Sequence, residues 1–370
     1  MSDCIVIGGG LIGMLTAHEL ASEGMVVTLL ERGEVARESS WAGGGILSPL
    51  YPWRYPEPVT RLATWSQNMY PQFCADLESR TGIDPEWIQS GLLILDSGDR
   101  FQEKQQMLAW AKESGSTIEV HNGNPVHYEP GISVDPCEYI LMPDVAQVRN
   151  PRLTKAVKAS LDDKGVHIVE HAEATQLLHI KGKIEGVLTD ARKYFANTVV
   201  IAGGAWSASL LQKLVPEINV EPVRGQMILF RAKPGDLKHI VLTEEMGQAR
   251  YLIPRKDGRI LAGSTLEYQG FDKSTTQEGL DALRHFAINL LPGLAEVEIE
   301  NHWAGLRPGS PQGVPYICGH PEVEGLFINA GHFRNGVVMG PASARLLSDL
   351  ILKREPVVDP SSYTVGALRG

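Results

Sequence analysis

Two groups of residues in this 370-residue chain have types and spacings that suit chemistry. The first is Gly8-Gly9-Gly10-Leu11-Ile12-Gly13, which satisfies the pattern G-x-G-x-x-G. Glycine lets backbone turn tightly and approach a ligand. Such a turn leaves N–H groups facing a pyrophosphate at a helix N-terminus, where the helix dipole favours an anion. Eighteen residues beyond Gly13 stands Glu31. An acid at that distance, ending the next strand, suits hydrogen bonds to a ribose and repels a 2′-phosphate. The pattern does not by itself separate FAD from NAD.

The second group can grip a carboxylate, because a planar guanidinium matches one with two parallel N–H donors. Arg307 sits in Trp303-Ala304-Gly305-Leu306-Arg307-Pro308, and Arg334 in His332-Phe333-Arg334-Asn335-Gly336. Tyr251, in Arg250-Tyr251-Leu252-Ile253-Pro254, can add a hydroxyl. Taken singly, these residues have plainer explanations. Each arginine suits an ordinary ion pair, Tyr251 a packed aromatic with a wet tip, and His332 and Asn335 a turn that satisfies local backbone.

Elements must hold these groups in place. Cys4 to Ile7 is a short apolar run that suits a buried parallel strand, and Met25 to Leu30 suits its neighbour. Between them Gly13, Ala17, Leu20 and Gly24 fall on one helical face, small enough to lie close to a sheet. Thr198 to Ile201 reads as another buried strand, with Gly203-Gly204 as its turn. Leu326 to Ala330 reads as a further strand. After a glycine turn it leads into a helix that carries Val338, Leu346, Leu347, Leu350 and Ile351, with Pro341 in an early turn. The stretch from about Val220 to Ile299 is richer in strand patterns. The expected class is α/β (α+β overall): a Rossmann-type domain assembled from residues 1–80, 145–218 and 300–370, and a β-rich domain from residues 81–144 and 219–299.

Four separated segments carry a family resemblance that covers essentially the whole chain. They are the N-terminal glycine turn, R-E-S-S-W-A-G-G-G-I-L-S-P at 37–49, V-V-I-A-G-G-A-W-S at 199–207 and G-L-F-I-N-A-G-H-F-R-N-G-V-V-M-G-P-A-S-A-R-L-L at 325–347. In this order they resemble the D-amino-acid oxidase / sarcosine oxidase superfamily of FAD enzymes, and within it the glycine oxidases. The resemblance implies FAD bound through Gly8, Gly10, Leu11, Ile12, Gly13, Glu31, Arg32, Ser39, Ser40, Gly44, Gly45, Ile46 and a backbone group of Ala174. It further implies contacts along His332, Phe333, Arg334, Asn335, Gly336, Val337 and Val338. Arg307 would clamp the carboxylate of a small amino-acid substrate, with Arg334 also near the substrate and Tyr251 adding a hydroxyl. Apart from the resemblance, Leu266, near Gly263-Ser264-Thr265, is a candidate to face the pocket and limit side-chain size. No essential acid or base is implied. The implied reaction is oxidative deamination of glycine, sarcosine, D-alanine or D-proline, with dioxygen as acceptor and hydrogen peroxide as product. A role in thiamine thiazole synthesis and a homotetramer are implied by kinship. Sarcosine oxidases tether FAD through a cysteine near the W-A-G-L-R-P region. Residues 303–309 contain none, so non-covalent FAD is expected.

Composition narrows the alternatives. A net charge of −10 with no Lys/Arg-rich run argues against nucleic acid as partner. No apolar stretch approaches the roughly 18 residues that span a bilayer. No basic segment precedes the first strand, so a cytoplasmic location is expected. Cys4, Cys74, Cys137 and Cys318 are scattered and suggest neither a disulfide nor a zinc framework. Two rivals share the motifs: a dehydrogenase passing electrons to quinone at a membrane, and a non-catalytic FAD-binding subunit of a larger complex. The tail after Pro356 lacks an amphipathic membrane helix and the arginine pair is intact, which favours the oxidase.

Overall fold

The computed structural model describes residues 2–95, 101–211, 214–215, 217–245 and 247–368. One sheet has six strands. Cys4–Ile7 lies near its centre and pairs in parallel with Thr198–Ile201 on one side and Val27–Leu30 on the other. Leu326–Ala330 and His167–Val169 extend it in parallel, and Tyr316–Gly319 closes one edge antiparallel. The central strands are apolar at all positions but Thr28 and Thr198, because both faces are covered. On one face Cys4, Val6, Leu29 and Val200 pack against the helices Leu11–Ser22, Glu57–Thr81, Asn150–Asp163 and Gly336–Ile351. On the other, Ile5, Ile7, Val199 and Ile201 meet Leu177, Ile184 and Val187 of a small antiparallel sheet.

The second large sheet has eight strands, in the order Ile299–Gly309, Glu221–Phe230, Ile260–Gly263, Gln248–Pro254, Ile240–Glu245, Leu92–Leu95, Cys137–Met142, Glu119–Gly123. It is antiparallel except where Leu92–Leu95 meets Ile240–Glu245. The helix Gln277–Leu290 buries Leu283, Phe286, Ala287 and Leu290 with this sheet. Its first turn is capped by the Thr276 hydroxyl, which accepts from the Gly279 N–H at 3.1 Å.

Two expectations need correcting. Residues 300–309, grouped by sequence with the first domain, lie in the edge strand Ile299–Gly309 of the eight-stranded sheet, so the division at 299/300 falls inside a strand. Its Gly305, Pro308 and Gly309 break the usual strand signature; a proline is tolerated there because the strand is at an edge. Gly24 does not serve the small helical face. It is exposed, with φ +85°, and follows the cap residue Glu23. The Met25 N–H reaches back to the Leu20 carbonyl and the Gly24 N–H to that of Ala21, so this glycine ends the helix in a Schellman turn.

Pro341 lies in the second turn of the helix Gly336–Ile351, past the first turn where a missing N–H has no helical acceptor to lose. It cannot donate to the Val337 carbonyl four residues back. The Tyr70 hydroxyl, from the long helix Glu57–Thr81, donates to that carbonyl instead at 2.6 Å. One residue on, the Ala342 N–H donates to the Ser66 hydroxyl at 2.9 Å. Two helices therefore repair the break together. Among the described residues no helix is long and apolar enough to cross a membrane.

Candidate active site

A cavity of about 520 Å³ runs between the two sheets. Both groups of residues singled out by sequence open onto it. At the glycine turn, Gly8 and Gly10 line it. Gly8 has φ +110°, and a Cβ there would lie 2.3 Å from the Ala202 carbonyl oxygen, so only glycine lets the two strand ends approach. Gly13 does not reach the cavity. A Cβ on it would sit 1.9 Å from the Gly8 oxygen, and its place is in the close packing of helix against turn.

The helix Leu11–Ser22 starts without a side-chain cap from Gly10 and without an acid in its first turn. The Leu11 N–H donates to the Ser40 hydroxyl oxygen at 2.8 Å, while Leu11, Ile12, Ser39 and Ser40 all line the cavity. Glu31 is held by two backbone donors, Gly9 N–H at 2.7 Å and Gly33 N–H at 2.9 Å, one on each carboxylate oxygen. Next to it the Arg32 guanidinium lies 3.7 Å from the centre of the Trp206 ring and pairs with Glu38 at 3.2 Å. Lys273 also pairs with Glu38, at 2.9 Å, and Phe271 stacks on Trp206 at 5.4 Å. The segment 264–276 of the second sheet thus straps across this end of the cavity. Ala174 lines the same end.

Gly44, Gly45 and Ile46 form one wall. Gly45 has φ +78°, and a Cβ would lie 2.0 Å from the Val148 oxygen. On the opposite wall the chain turns through Gly331, with φ +84°, and His332 to Val337 line the cavity. His332 is buried, 3.0 Å from the Ser343 hydroxyl, and burial lowers its pKa to about 3, so the ring is neutral. Val338 does not line the cavity. It is 2% exposed within the helical core, because its side chain leaves the helix on the far side from the mouth.

Arg307 is positioned by register. Its strand pairs with Glu221–Phe230, placing it opposite Val223 and two residues from Gly305, which faces Gly225. Its Nη1 donates to the carbonyls of Thr265 at 3.2 Å and Arg224 at 3.3 Å, and its Nη2 to the Ser264 hydroxyl at 2.6 Å. All these acceptors are neutral. Burial lowers its pKa, opposed by the Tyr251 hydroxyl and reinforced by the Arg334 charge. Behind it, buried Arg224 bonds Glu267 and Asp272, fixing the strap that supplies Ser264 and Thr265. Arg334 has its guanidinium 5.3 Å from the Phe333 ring. Among the described residues neither Arg307 nor Arg334 forms an ion pair. Tyr251 faces the same space. Leu266 does not line it; Met227, Ala249 and Ser264 do.

The lining fits a dinucleotide. Three buried polar atoms of lining residues lack a protein partner: Asn335 Nδ2, Ser207 Oγ and Asn329 Oδ1. Such atoms are costly unless a ligand satisfies them. Trp206, Ser207, Gly225, Met227 and Ser264 carried no assigned role in the sequence. Ser207 and Trp206 lay in a quoted motif, but nothing in their spacing marked them. None of the four cysteines lines the cavity.

Comparison with known proteins agrees with this geometry. The profile of the DAO family, described as FAD dependent oxidoreductase, matches residues 3–350. A glycine oxidase from Pseudomonas aeruginosa is 46% identical over 361 residues, covering 97% of each chain. The bifunctional protein ThiO/ThiG of Synechocystis is 32% identical over 96% of this chain and 52% of its own length. The crystal structure of glycine oxidase from Geobacillus kaustophilus superposes with a TM-score of 0.92 at 27% identity, covering 100% of this chain and 99% of the other. A dinucleotide cavity between a parallel and a largely antiparallel sheet, matched from residue 3 to residue 350, makes this chain a member of the DAO family of FAD-dependent oxidoreductases.

Proposed function

We propose that this protein oxidises glycine, and with it other small amines such as sarcosine, D-alanine and D-proline, to glyoxylate or the corresponding keto acid. Ammonia or an amine and hydrogen peroxide are the other products. The observation that carries the reading is a pair of guanidinium groups, Arg307 and Arg334, facing one cavity with no carboxylate paired to either among the described residues. Half-buried cations without counter-charge call for an anionic ligand. A substrate carboxylate supplies that charge and accepts two parallel hydrogen bonds from Arg307. Tyr251 adds a hydroxyl donor.

Bound FAD supplies the hydride acceptor, and its reoxidation by dioxygen gives the peroxide. The chain's own residues do the rest. Gly8, Gly10, Leu11 and Ile12 offer backbone to the pyrophosphate, with the Ser39 and Ser40 hydroxyls beside them. Glu31 serves the ribose, Arg32 and Ala174 flank the nucleoside end, and Gly44, Gly45, Ile46 and His332 to Val337 enclose the ring. Gly13 supports the turn from behind. The carboxylate clamp holds the substrate Cα in one place, and positioning of this kind is a large part of catalysis. The two positive charges also disfavour a substrate ammonium, so the amine is bound neutral. His332, with a pKa lowered to about 3, is too weakly basic to take the proton of an ammonium, and no acid or base is nominated. The cofactor is held without a covalent bond. The first domain comprises 1–80, 145–218 and 310–370, and the edge strand Ile299–Gly309 of the second sheet lends Arg307. The protein works in the cytoplasm as a homo-oligomer, a tetramer by kinship, and supplies thiamine thiazole synthesis.

The test is a visible spectrum of the purified protein, followed by anaerobic addition of each substrate. Flavin bands bleached fastest by glycine or sarcosine, with peroxide on admitting air, are expected. Bleaching chiefly by larger D-amino acids, or none by any amino acid, would overturn the assignment.

A further inference from the structure

Arg255 follows the strand Gln248–Pro254, four residues beyond Tyr251, and does not line the cavity. Its guanidinium reaches the glycine wall from behind. Nη2 donates to the Gly44 carbonyl at 2.7 Å, and Nη1 donates to Gln147 Oε1 at 2.9 Å and the Val148 carbonyl at 3.2 Å. The neighbouring carboxylates are taken by Arg149, which pairs with Asp257 at 2.8 Å and Glu86 at 3.3 Å. Among the described residues Arg255 itself has no ion pair. Burial, and next the Arg149 charge, lower its pKa to about 10. A desolvated cation that bonds only neutral oxygens is costly to keep, so its effect on those oxygens is the place to look for its use.

That effect falls on one peptide unit. In a trans peptide the C=O and the following N–H point in opposite directions. The Gly44 carbonyl points at Arg255, outside the cavity. The Gly45 N–H therefore points the other way, to the side where Gly44, Gly45 and Ile46 line the cavity. No protein acceptor is bonded to that N–H among the described residues. The next peptide is locked as well, because the Gly45 carbonyl accepts from the Val148 N–H at 2.9 Å.

We propose that Arg255 is a positioning residue for the flavin: by pinning the Gly44 carbonyl from behind, it keeps the Gly45 N–H turned into the cavity as a hydrogen-bond donor to the ring. This rests on the reading of the cavity as the FAD site. A donor fixed in advance and aimed at a place where negative charge develops is more effective than one that must reorient. The guanidinium also polarises the shared peptide and strengthens its N–H as a donor.

The experiment compares the parent with Arg255→Met and Arg255→Lys in the full chain, each loaded with FAD. Two quantities are read: the midpoint potential of the flavin, equilibrated against a reference dye, and the anaerobic bleaching rate over a range of glycine concentrations. For Arg255→Met the potential becomes more negative and the saturated rate falls by about tenfold to a hundredfold. KM stays within about threefold, since the Arg307 clamp is untouched. Arg255→Lys recovers part of both. A Met variant with the parent's potential and saturated rate, or a loss confined to KM, overturns the proposal. If Arg255→Met does not fold, Arg255→Gln, which keeps an amide donor without the charge, decides in the same way by its potential. A parent that holds flavin but is not bleached by glycine contradicts the substrate assignment and leaves the dye measurement able to judge Arg255. A colourless parent that takes up no FAD overturns both.

Discussion

At the scale of single residues, the site depends on where guanidinium groups are allowed to rest. Arg307 bonds only neutral oxygens in the protein, so its charge is free for a ligand. Arg307→Ala removes two charge-assisted hydrogen bonds at once. Its kcat/KM for glycine is expected to fall by roughly a hundredfold or more while the flavin spectrum is kept. Steady-state kinetics on yellow protein checks this, and a variant with near-parent kcat/KM removes Arg307 from the clamp. Gly225 gives a subtler probe. A Cβ there would lie 2.1 Å from Arg307 Nη1, so Gly225→Ala displaces the guanidinium without altering its charge. We expect KM for glycine to rise by about tenfold or more, with flavin content unchanged. An unchanged KM would show that the arginine has room to move. That Arg307, Arg334 and Tyr251 would share one cavity was legible because each sat in a motif of recognisable type. Met227, Ser264 and Arg255 were not, because their roles arise from register and from contacts across some forty to two hundred residues of chain.

At the scale of elements, two helices meet the cavity end-on, and each relies on an irregularity that a neighbour accommodates. The glycine turn carries the first. Gly13→Ala would set a Cβ 1.9 Å from the Gly8 oxygen and force the helix Leu11–Ser22 off its strand. Overpacking of this kind costs about 1–3 kcal/mol. Loss of bound FAD on gel filtration, together with a lowered Tm, is the expected outcome, and a variant that keeps both would contradict the packing role. The second irregularity is Pro341. Tyr70→Phe leaves the Val337 carbonyl without its 2.6 Å partner, at a cost of about 1–3 kcal/mol for a buried acceptor. Thermal unfolding should show it as a lower Tm, with the flavin-free protein affected as well as the loaded one. The strands Cys4–Ile7, Thr198–Ile201 and Leu326–Ala330 were readable from their apolar runs. Gly24 was misplaced because residue type alone does not tell a helix end from its interior, and at Pro341 the missing bond is supplied by another helix, which no local pattern announces.

At the scale of the whole molecule, burial of histidine links the fold to acidity. His332 and His18 have pKa values lowered by burial to about 3 and about 4, from an ordinary value of 6.5. The unfolded chain takes up their protons below about 6.5 and the folded chain does not. The stability they permit is whole above that pH and declines as pH falls through 6.5 towards 4, by at most about 1.4 kcal/mol per pH unit for each proton. Tm is therefore expected to be lower at pH 5 than at pH 7, and a flat profile would mean that these rings are already charged in the fold. Alternation of strands and helices made the two-part architecture legible. The edge strand that carries Arg307 was not, because glycine and proline blur its period. The same architecture governs how the protein comes into being. The cavity draws its walls from Ile7 at one end of the chain to Val337 at the other. A chain that stops short of His332 lacks one wall of the cavity, so it is expected to hold the coenzyme less tightly than the full chain does.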